Sequence, residues 1–133
     1  MGFAGGCQCG AIRYSAAGEA AHHALCHCAD CRKSSGAPMV GWIAFAEDAL
    51  AVEGAPFVYE SSPGVTRTFC GTCGTGLFYR NPAMLPGIVD VQSATLDDAA
   101  AHAPGIEIMV AERLPWLDQV GQLRRFERYP GMD

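Results

Sequence analysis

Short apolar or alternating segments, separated by turn residues, recur along the whole chain. Residues 11–16 alternate apolar and polar side chains, which predicts a strand with Ile12 and Tyr14 on one face. Residues 39–45 are rich in aromatic and branched side chains, as buried strands are. Further strands are predicted at residues 20–28, 49–53, 57–60, 65–69, 77–80, 88–92 and 106–110. So many short strands with little helix predict one mainly β domain of antiparallel strands over residues 1–133.

Two hairpins are expected among these strands. Residues 20–28 are predicted to return beside residues 11–16 after a break at Gly18. Residues 65–69 and 77–80 are predicted to pair, with two cysteines at the tip between them.

Helix is predicted only in short pieces. Residues 30–35 read as one helical turn or a loop, and residues 95–101 as a short helix with Thr95 as its N-cap. The tail, residues 116–129, is expected to be helical in part.

Composition and charge narrow the class of protein. Half of the residues are apolar and 17% are charged, so the chain can form a packed core. The net charge is −5 and the basic residues form no long run, which argues against a nucleic-acid phosphate backbone as a partner. We see no signal peptide or apolar run of membrane-spanning length, so a cytoplasmic, reducing location is expected. In that setting, close cysteine pairs indicate metal or redox sites more often than disulfides.

Seven cysteines fall into three local groups. The two separated pairs, Cys7 with Cys9 and Cys70 with Cys73, together supply the four ligands of a closed tetrahedral zinc site. We therefore predict a structural zinc that joins the N-terminal strand to the late hairpin. The alternative is a redox dithiol at Cys70 and Cys73, which the lack of a βαβ setting disfavours.

The remaining group, Cys26, Cys28 and Cys31, is one thiolate short of a closed zinc shell. We predict a second zinc site here with one exchangeable position, as in catalytic centres. The alternative is a second structural zinc closed by a histidine or another side chain, for which the nearby histidine candidates are His22, His23 and His27.

Arg32 and Lys33 follow the central cysteines directly. Their charge can offset the thiolates and attract an anionic substrate, so we predict that both bind substrate. The alternative for each is a solvated surface cation.

Three thiolates donate much charge to a metal ion, which makes it a weak activator of water. Such a site is better suited to hold a soft ligand such as a substrate thiol in its nucleophilic, ionised form. The sequence thus favours addition of a small thiol to an aldehyde, with Cys26, Cys28 and Cys31 forming the catalytic site. The alternatives are a non-catalytic zinc-stabilised binding module and a zinc- or thiol-sensing protein.

Three motifs in order carry a resemblance to a known family. They are Cys7-x-Cys9-Gly10 with Tyr14, then Cys26-His27-Cys28-x-x-Cys31-Arg32-Lys33-x-x-Gly36-Ala37, then Phe69-Cys70-x-x-Cys73-Gly74. With them the chain resembles the glutathione-dependent formaldehyde-activating enzyme family, to which the vertebrate centromere-associated protein V is similar. The resemblance implies the Mss4-like zinc-binding fold and two zinc ions per chain. It also implies a carbon–sulfur lyase activity, the condensation of glutathione with formaldehyde to S-hydroxymethylglutathione.

Two further positions bear on the site. The family pattern has a His-Ile pair ahead of the late Pro-Trp motif, whereas this chain has Glu107-Ile108 ahead of Pro115-Trp116. We interpret Glu107 as a surface strand residue, with a proton acceptor as the alternative. Four aromatic residues at strand positions are predicted to lie in the core rather than in a substrate wall, namely Trp42, Phe45, Phe69 and Phe78.

Overall fold

The computed structural model describes residues 2–132, which form ten short strands, one α-helix and several 3-10 turns. The strands are β1 Gly2–Gly6, β2 Arg13–Ala17, β3 His22–Cys26, β4 Val40–Ala46, β5 Leu50–Glu53, β6 Phe57–Ser62, β7 Val65–Phe69, β8 Gly76–Arg80, β9 Ile88–Gln92 and β10 Ile106–Ile108. Helix α1 is Ala29–Ser35. The 3-10 turns are Glu47–Ala49, Ser93–Thr95, Ala99–Ala101, Val110–Glu112 and Pro115–Gln122. The prediction of a mainly β fold is confirmed.

The strands form two sheets. The larger sheet has the order β10-β3-β4-β9-β8-β7-β6, and the smaller has the order β1-β2-β5. Neighbouring strands are antiparallel except β10, which runs parallel to β3. Strand β10 pairs Ile106–Ile108 with the end of β3, and its register places Ile108 opposite Cys26.

The main core joins the two sheets. One face of β4 contributes Ile43 and Phe45, while β2 contributes Tyr14 and the residue just before β2 contributes Ile12, as their alternation predicts. The Tyr14 ring lies edge-on to Phe78 with centroids 5.6 Å apart. Apolar burial of this kind is the main driving force that holds such sheets together.

The opposite face of β4 carries a second buried group. Trp42 and Val40 pack there with Cys26 and Cys31, while Tyr79 packs against them from β8. Of the four aromatic residues predicted to be in the core, Trp42, Phe45 and Phe78 are buried and Phe69 is half-buried.

The predicted pairing of residues 11–16 with 20–28 is wrong. Strand β2 pairs with β1 and β5, whereas β3 pairs with β4 and β10 in the other sheet. The strand that pairs with β2 in place of residues 20–28 is β1, Gly2–Gly6. It contains three glycines, so the sequence does not indicate a strand there. Its backbone nonetheless occupies the edge of β2 over five paired positions.

The predicted helix at residues 95–101 is also wrong. Ser93–Thr95 and Ala99–Ala101 are separate 3-10 turns. Thr95 does not cap a helix: its hydroxyl donates to the Gln92 carbonyl at 2.6 Å and bonds the Tyr14 hydroxyl at 2.8 Å. Because the Thr95 hydroxyl bonds the carbonyl of its own turn, it is not available as the N-cap on which the helix prediction depended.

The tail is helical only over Pro115–Gln122, where it forms a 3-10 rather than an α-helix. No helix within residues 2–132 has both the length and the apolar character needed to cross a bilayer.

Candidate metal centres and the adjoining cavity

Four sulfurs converge where the small sheet meets the tip of the β7–β8 hairpin. This four-cysteine cluster consists of Cys7, Cys9, Cys70 and Cys73, whose Sγ atoms all lie within 4.8 Å of one another. The Cys7 and Cys9 sulfurs are 3.6 Å apart, and those of Cys9 and Cys70 are 3.8 Å apart. A tetrahedral shell with zinc–sulfur bonds of about 2.3 Å places its sulfurs roughly 3.8 Å apart. The cluster therefore has the donor type and spacing of a closed zinc shell.

Backbone and hydroxyl groups surround these sulfurs. The Ile12 N–H donates to Cys7 Sγ at 3.2 Å, and the Cys73 N–H points to Cys70 Sγ at 3.4 Å. Hydrogen bonds from the Thr75 hydroxyl and N–H lower the pKa of the Cys73 thiol to about 5. Gly74 has a φ of 82°, which lets the chain turn so tightly that its N–H reaches the Cys70 carbonyl at 2.8 Å. Donors of this kind favour thiolates, the form that binds metal.

A second group, the three-cysteine cluster, consists of Cys26, Cys28 and Cys31. Cys26 ends β3, Cys28 is the N-cap of α1, and Cys31 lies in the first turns of that helix. Their three Sγ atoms lie within 4.8 Å of one another. The Cys31 N–H donates to Cys28 Sγ at 3.3 Å. The Cys28 sulfur is therefore the N-cap acceptor of α1, a role that a serine or aspartate oxygen takes in many other helices.

A histidine does not close this second cluster. In the described part of the chain, no histidine nitrogen or carboxylate oxygen joins the three sulfurs within 4.8 Å. The His27 ring is fully buried, with Nε2 2.9 Å from Glu107 Oε1, and His22 Nε2 lies 3.2 Å from Asp90 Oδ1. Glu107 is half exposed on β10, so it is a surface strand residue that also pairs with a buried histidine.

The three thiols of this cluster differ in pKa. Burial raises the pKa of Cys26 to about 12, and burial with the neighbouring Cys28 sulfur raises the pKa of Cys31. At Cys28, burial also acts to raise the pKa, but hydrogen bonds involving Cys31 and Cys26 and the charge of Arg67 outweigh it and lower the pKa. A bound metal ion would supply positive charge that stabilises the thiolate forms of Cys26 and Cys31.

A cavity of about 730 Å³ lies between α1 and the sheet beside this cluster. Trp42 and Tyr79 line it and also pack against the buried cysteines. Its charged lining groups are Asp30, Lys33 and Arg67. The remaining lining residues are Ser34, Tyr59, Ser61, Ser62, Val65, Thr68, Phe69, Gly74, Gly76, Phe78 and Gln92. The aromatic residues predicted as core thus include three that also form the cavity wall, Trp42, Phe69 and Phe78.

Arg67 is a site residue that sequence reasoning missed. Its Nη2 lies 3.8 Å from Cys31 Sγ, and its Cζ lies 4.9 Å from the centre of the Tyr79 ring. Its isolation could have drawn attention to it as a site candidate, because Arg67 is the one basic residue between Lys33 and Arg80 in the sequence. Its place at the site follows from the strand register, which pairs Arg67 with Tyr79. The sequence alone does not show that Arg67 faces the three-cysteine cluster.

The two basic residues predicted to bind substrate occupy different places. Lys33 lines the 730 Å³ cavity, whereas Arg32 does not. Both line a second cavity of about 320 Å³ with Pro38, Leu114 and Trp116. Lys33 therefore stands between the two cavities, and the guanidinium that faces the larger one belongs to Arg67.

Comparison with known proteins adds a family assignment to this geometry. Residues 2–112 match a family model described as glutathione-dependent formaldehyde-activating enzyme, in agreement with the three cysteine motifs. A crystal structure of a Rhodobacter sphaeroides protein is similar over 78% of this chain and 98% of its own, with 21% identity and a TM-score of 0.61. That likeness shows a shared fold. No curated protein matches the chain.

Proposed function

The chain belongs to the glutathione-dependent formaldehyde-activating enzyme family, and from that premise we propose that it is a zinc-dependent carbon–sulfur lyase of thiol–aldehyde chemistry. The observation that carries the proposal is the three-cysteine cluster, to which no histidine, further cysteine or carboxylate of residues 2–132 adds a fourth ligand, and which adjoins a 730 Å³ cavity. An incomplete thiolate shell next to a cavity is the arrangement of a catalytic rather than a structural zinc site.

Two zinc ions per chain fit the donor sets. Cys7, Cys9, Cys70 and Cys73 would hold a structural ion, and Cys26, Cys28 and Cys31 would hold the second at the open site. Zinc at the open site would keep a substrate thiol in its ionised, nucleophilic form near neutral pH. Three thiolates and one divalent ion leave a single negative charge, which Arg67 and Lys33 at the cavity wall offset.

The cavity residues would bind and orient a thiol such as glutathione. Lys33 attracts its carboxylates, while Trp42 and Tyr79 pack against its apolar parts and exclude water. The substrate sulfur then attacks the carbonyl carbon of formaldehyde, so that a carbon–sulfur bond forms and the carbonyl electron pair moves to oxygen. That oxygen takes a proton from water to give S-hydroxymethylglutathione.

A cytoplasmic location is part of this proposal, because reduced glutathione is abundant there and free thiols persist. All seven cysteines are free of disulfides, as that environment requires. A non-catalytic binding module would need a closed central cluster, whereas no histidine, further cysteine or carboxylate of residues 2–132 joins this one.

Magnetisation-exchange NMR tests the activity, because formaldehyde and glutathione also condense without a catalyst. We expect the zinc-loaded chain, at catalytic concentration, to speed the exchange between glutathione and S-hydroxymethylglutathione well above that background. Controls are the same concentration of free zinc and the chain unfolded in urea. An exchange rate equal to both controls would reject the proposed reaction.

A further inference from the structure

Arg67 stands at the end of the cavity where sulfur chemistry would occur. It projects from β7, lines the cavity and reaches Cys31 Sγ with Nη2 at 3.8 Å. Among residues 2–132, no other lysine or arginine side chain hydrogen-bonds a sulfur of the three-cysteine cluster. Within residues 2–132, Arg67 is thus the basic side chain that both lines the cavity and contacts a sulfur of the cluster.

The guanidinium is held in place without being neutralised by a carboxylate. It stacks on the Tyr79 ring, and the register places Arg67 between Tyr59 and Tyr79 on adjacent strands. By contrast, Arg13, Arg80 and Arg113 each pair with a carboxylate, and within the described chain Arg67 does not. Arginine has five N–H donors, so most of those on Arg67 remain free for a ligand.

The proposed reaction develops negative charge at this position. When the thiolate sulfur adds to an aldehyde, the carbonyl oxygen becomes an alkoxide on the carbon that is bonded to sulfur. Pre-oriented N–H donors aimed at such an oxygen are often the largest single contribution to catalysis of carbonyl addition. The group required is a fixed cation beside the sulfur site, which describes Arg67.

We propose that Arg67 is a catalytic residue that donates hydrogen bonds to the alkoxide oxygen formed during thiol addition, and to the same oxygen when the addition reverses. This inference rests on the function proposed above. In it the sulfur lone pair forms the carbon–sulfur bond, the carbonyl π electrons move to oxygen, Arg67 keeps its proton, and water protonates the oxygen. Lys33 is the poorer candidate, because it lies on α1 between two cavities and makes no hydrogen bond to a cluster sulfur.

The test compares Arg67→Met and Arg67→Lys with Arg80→Met in the zinc-loaded full chain. Arg80 is a matched control, because its guanidinium also stacks on a ring of the same sheet, 5.6 Å from the Phe78 centroid, but it does not line the cavity. We expect Arg67→Met to lower the catalysed exchange rate at saturating glutathione by about 100-fold, the loss typical of one missing oxyanion donor. Arg67→Lys keeps the positive charge but loses the planar set of N–H donors. Its saturating exchange rate should therefore lie between those of Arg67→Met and wild type.

Two measurements besides activity separate this role from a structural one. Glutathione affinity by calorimetry and cobalt(II) affinity by visible absorption should both stay within about threefold of wild type in Arg67→Met, a change of at most about 0.7 kcal/mol. Arg80→Met should match wild type in the saturating exchange rate and in both affinities. An unchanged saturating rate in Arg67→Met would overturn the inference while leaving the proposed function standing. So would a loss explained entirely by weaker cobalt or glutathione binding.

Discussion

Cys70→Ser is expected to abolish the cooperative thermal transition of the chain, because it opens the four-cysteine cluster. Cys70 is almost fully buried, and its sulfur lies 3.8 Å from that of Cys9. That sulfur, with its three partners, ties the β1–β2 end of the small sheet to the hairpin tip of the large sheet. Structural zinc contributes on the order of 10 kcal/mol of apparent binding free energy in small domains, which is comparable to the total stability of a typical domain.

Circular dichroism and thermal melting of Cys70→Ser measure this effect, with Cys31→Ser as the comparison. Both replace one buried sulfur by oxygen, but Cys31 belongs to the three-cysteine cluster. We expect Cys31→Ser to keep a native-like spectrum and a cooperative melt, and Cys70→Ser to lose both. Equal melting of Cys70→Ser and wild type would show that the four-cysteine cluster does not hold the fold together.

Cys28→Ala is expected to lower the thiol–aldehyde exchange rate to the uncatalysed background while the chain stays folded. Cys28 is the least buried cysteine of its cluster and has a lowered pKa, because hydrogen bonds and Arg67 outweigh its burial. Without its sulfur only two thiolates remain, too few to hold zinc in the geometry that activates a substrate thiol.

The same side chain also caps α1, so a second variant is needed to separate the two roles. Cys28→Ala removes an N-cap acceptor, which costs about 1 kcal/mol, whereas Cys28→Ser supplies a good one. We expect Cys28→Ser to melt at the wild-type temperature, unlike Cys28→Ala, but to show no more thiol–aldehyde exchange activity than Cys28→Ala. Exchange at the wild-type rate in either variant, measured by the NMR assay, would refute a catalytic role for this cluster.

The strands that the sequence predicts best are those with their own apolar signal. Residues 65–69 and 88–92 were predicted with the bounds that β7 and β9 have, because branched and aromatic side chains predominate there. Strand β1 could not be predicted in this way. Its glycines carry no side-chain signal, and it is a strand only because β2 offers an unpaired edge.

The cysteine groups were visible in the sequence because ligand spacing is local. A pair two or three residues apart can point to one centre whatever the rest of the fold does. The cavity was not visible, because its wall combines α1 and Trp42 with residues of β6 to β9, which lie more than twenty residues beyond α1 in the sequence. For the same reason Arg67 was missed, although it lines the larger cavity and Arg32, which was predicted to bind substrate, does not.

The central claim is that seven cysteines make one closed and one open zinc site. Native mass spectrometry of chain purified without chelator tests it most directly, by counting zinc ions per chain. We predict two ions per chain, with one retained by Cys28→Ser and by Cys31→Ser. One ion in the wild-type chain, lost in Cys70→Ser and unaffected by Cys28→Ser, would contradict the account, because the three-cysteine cluster would then not be a zinc site.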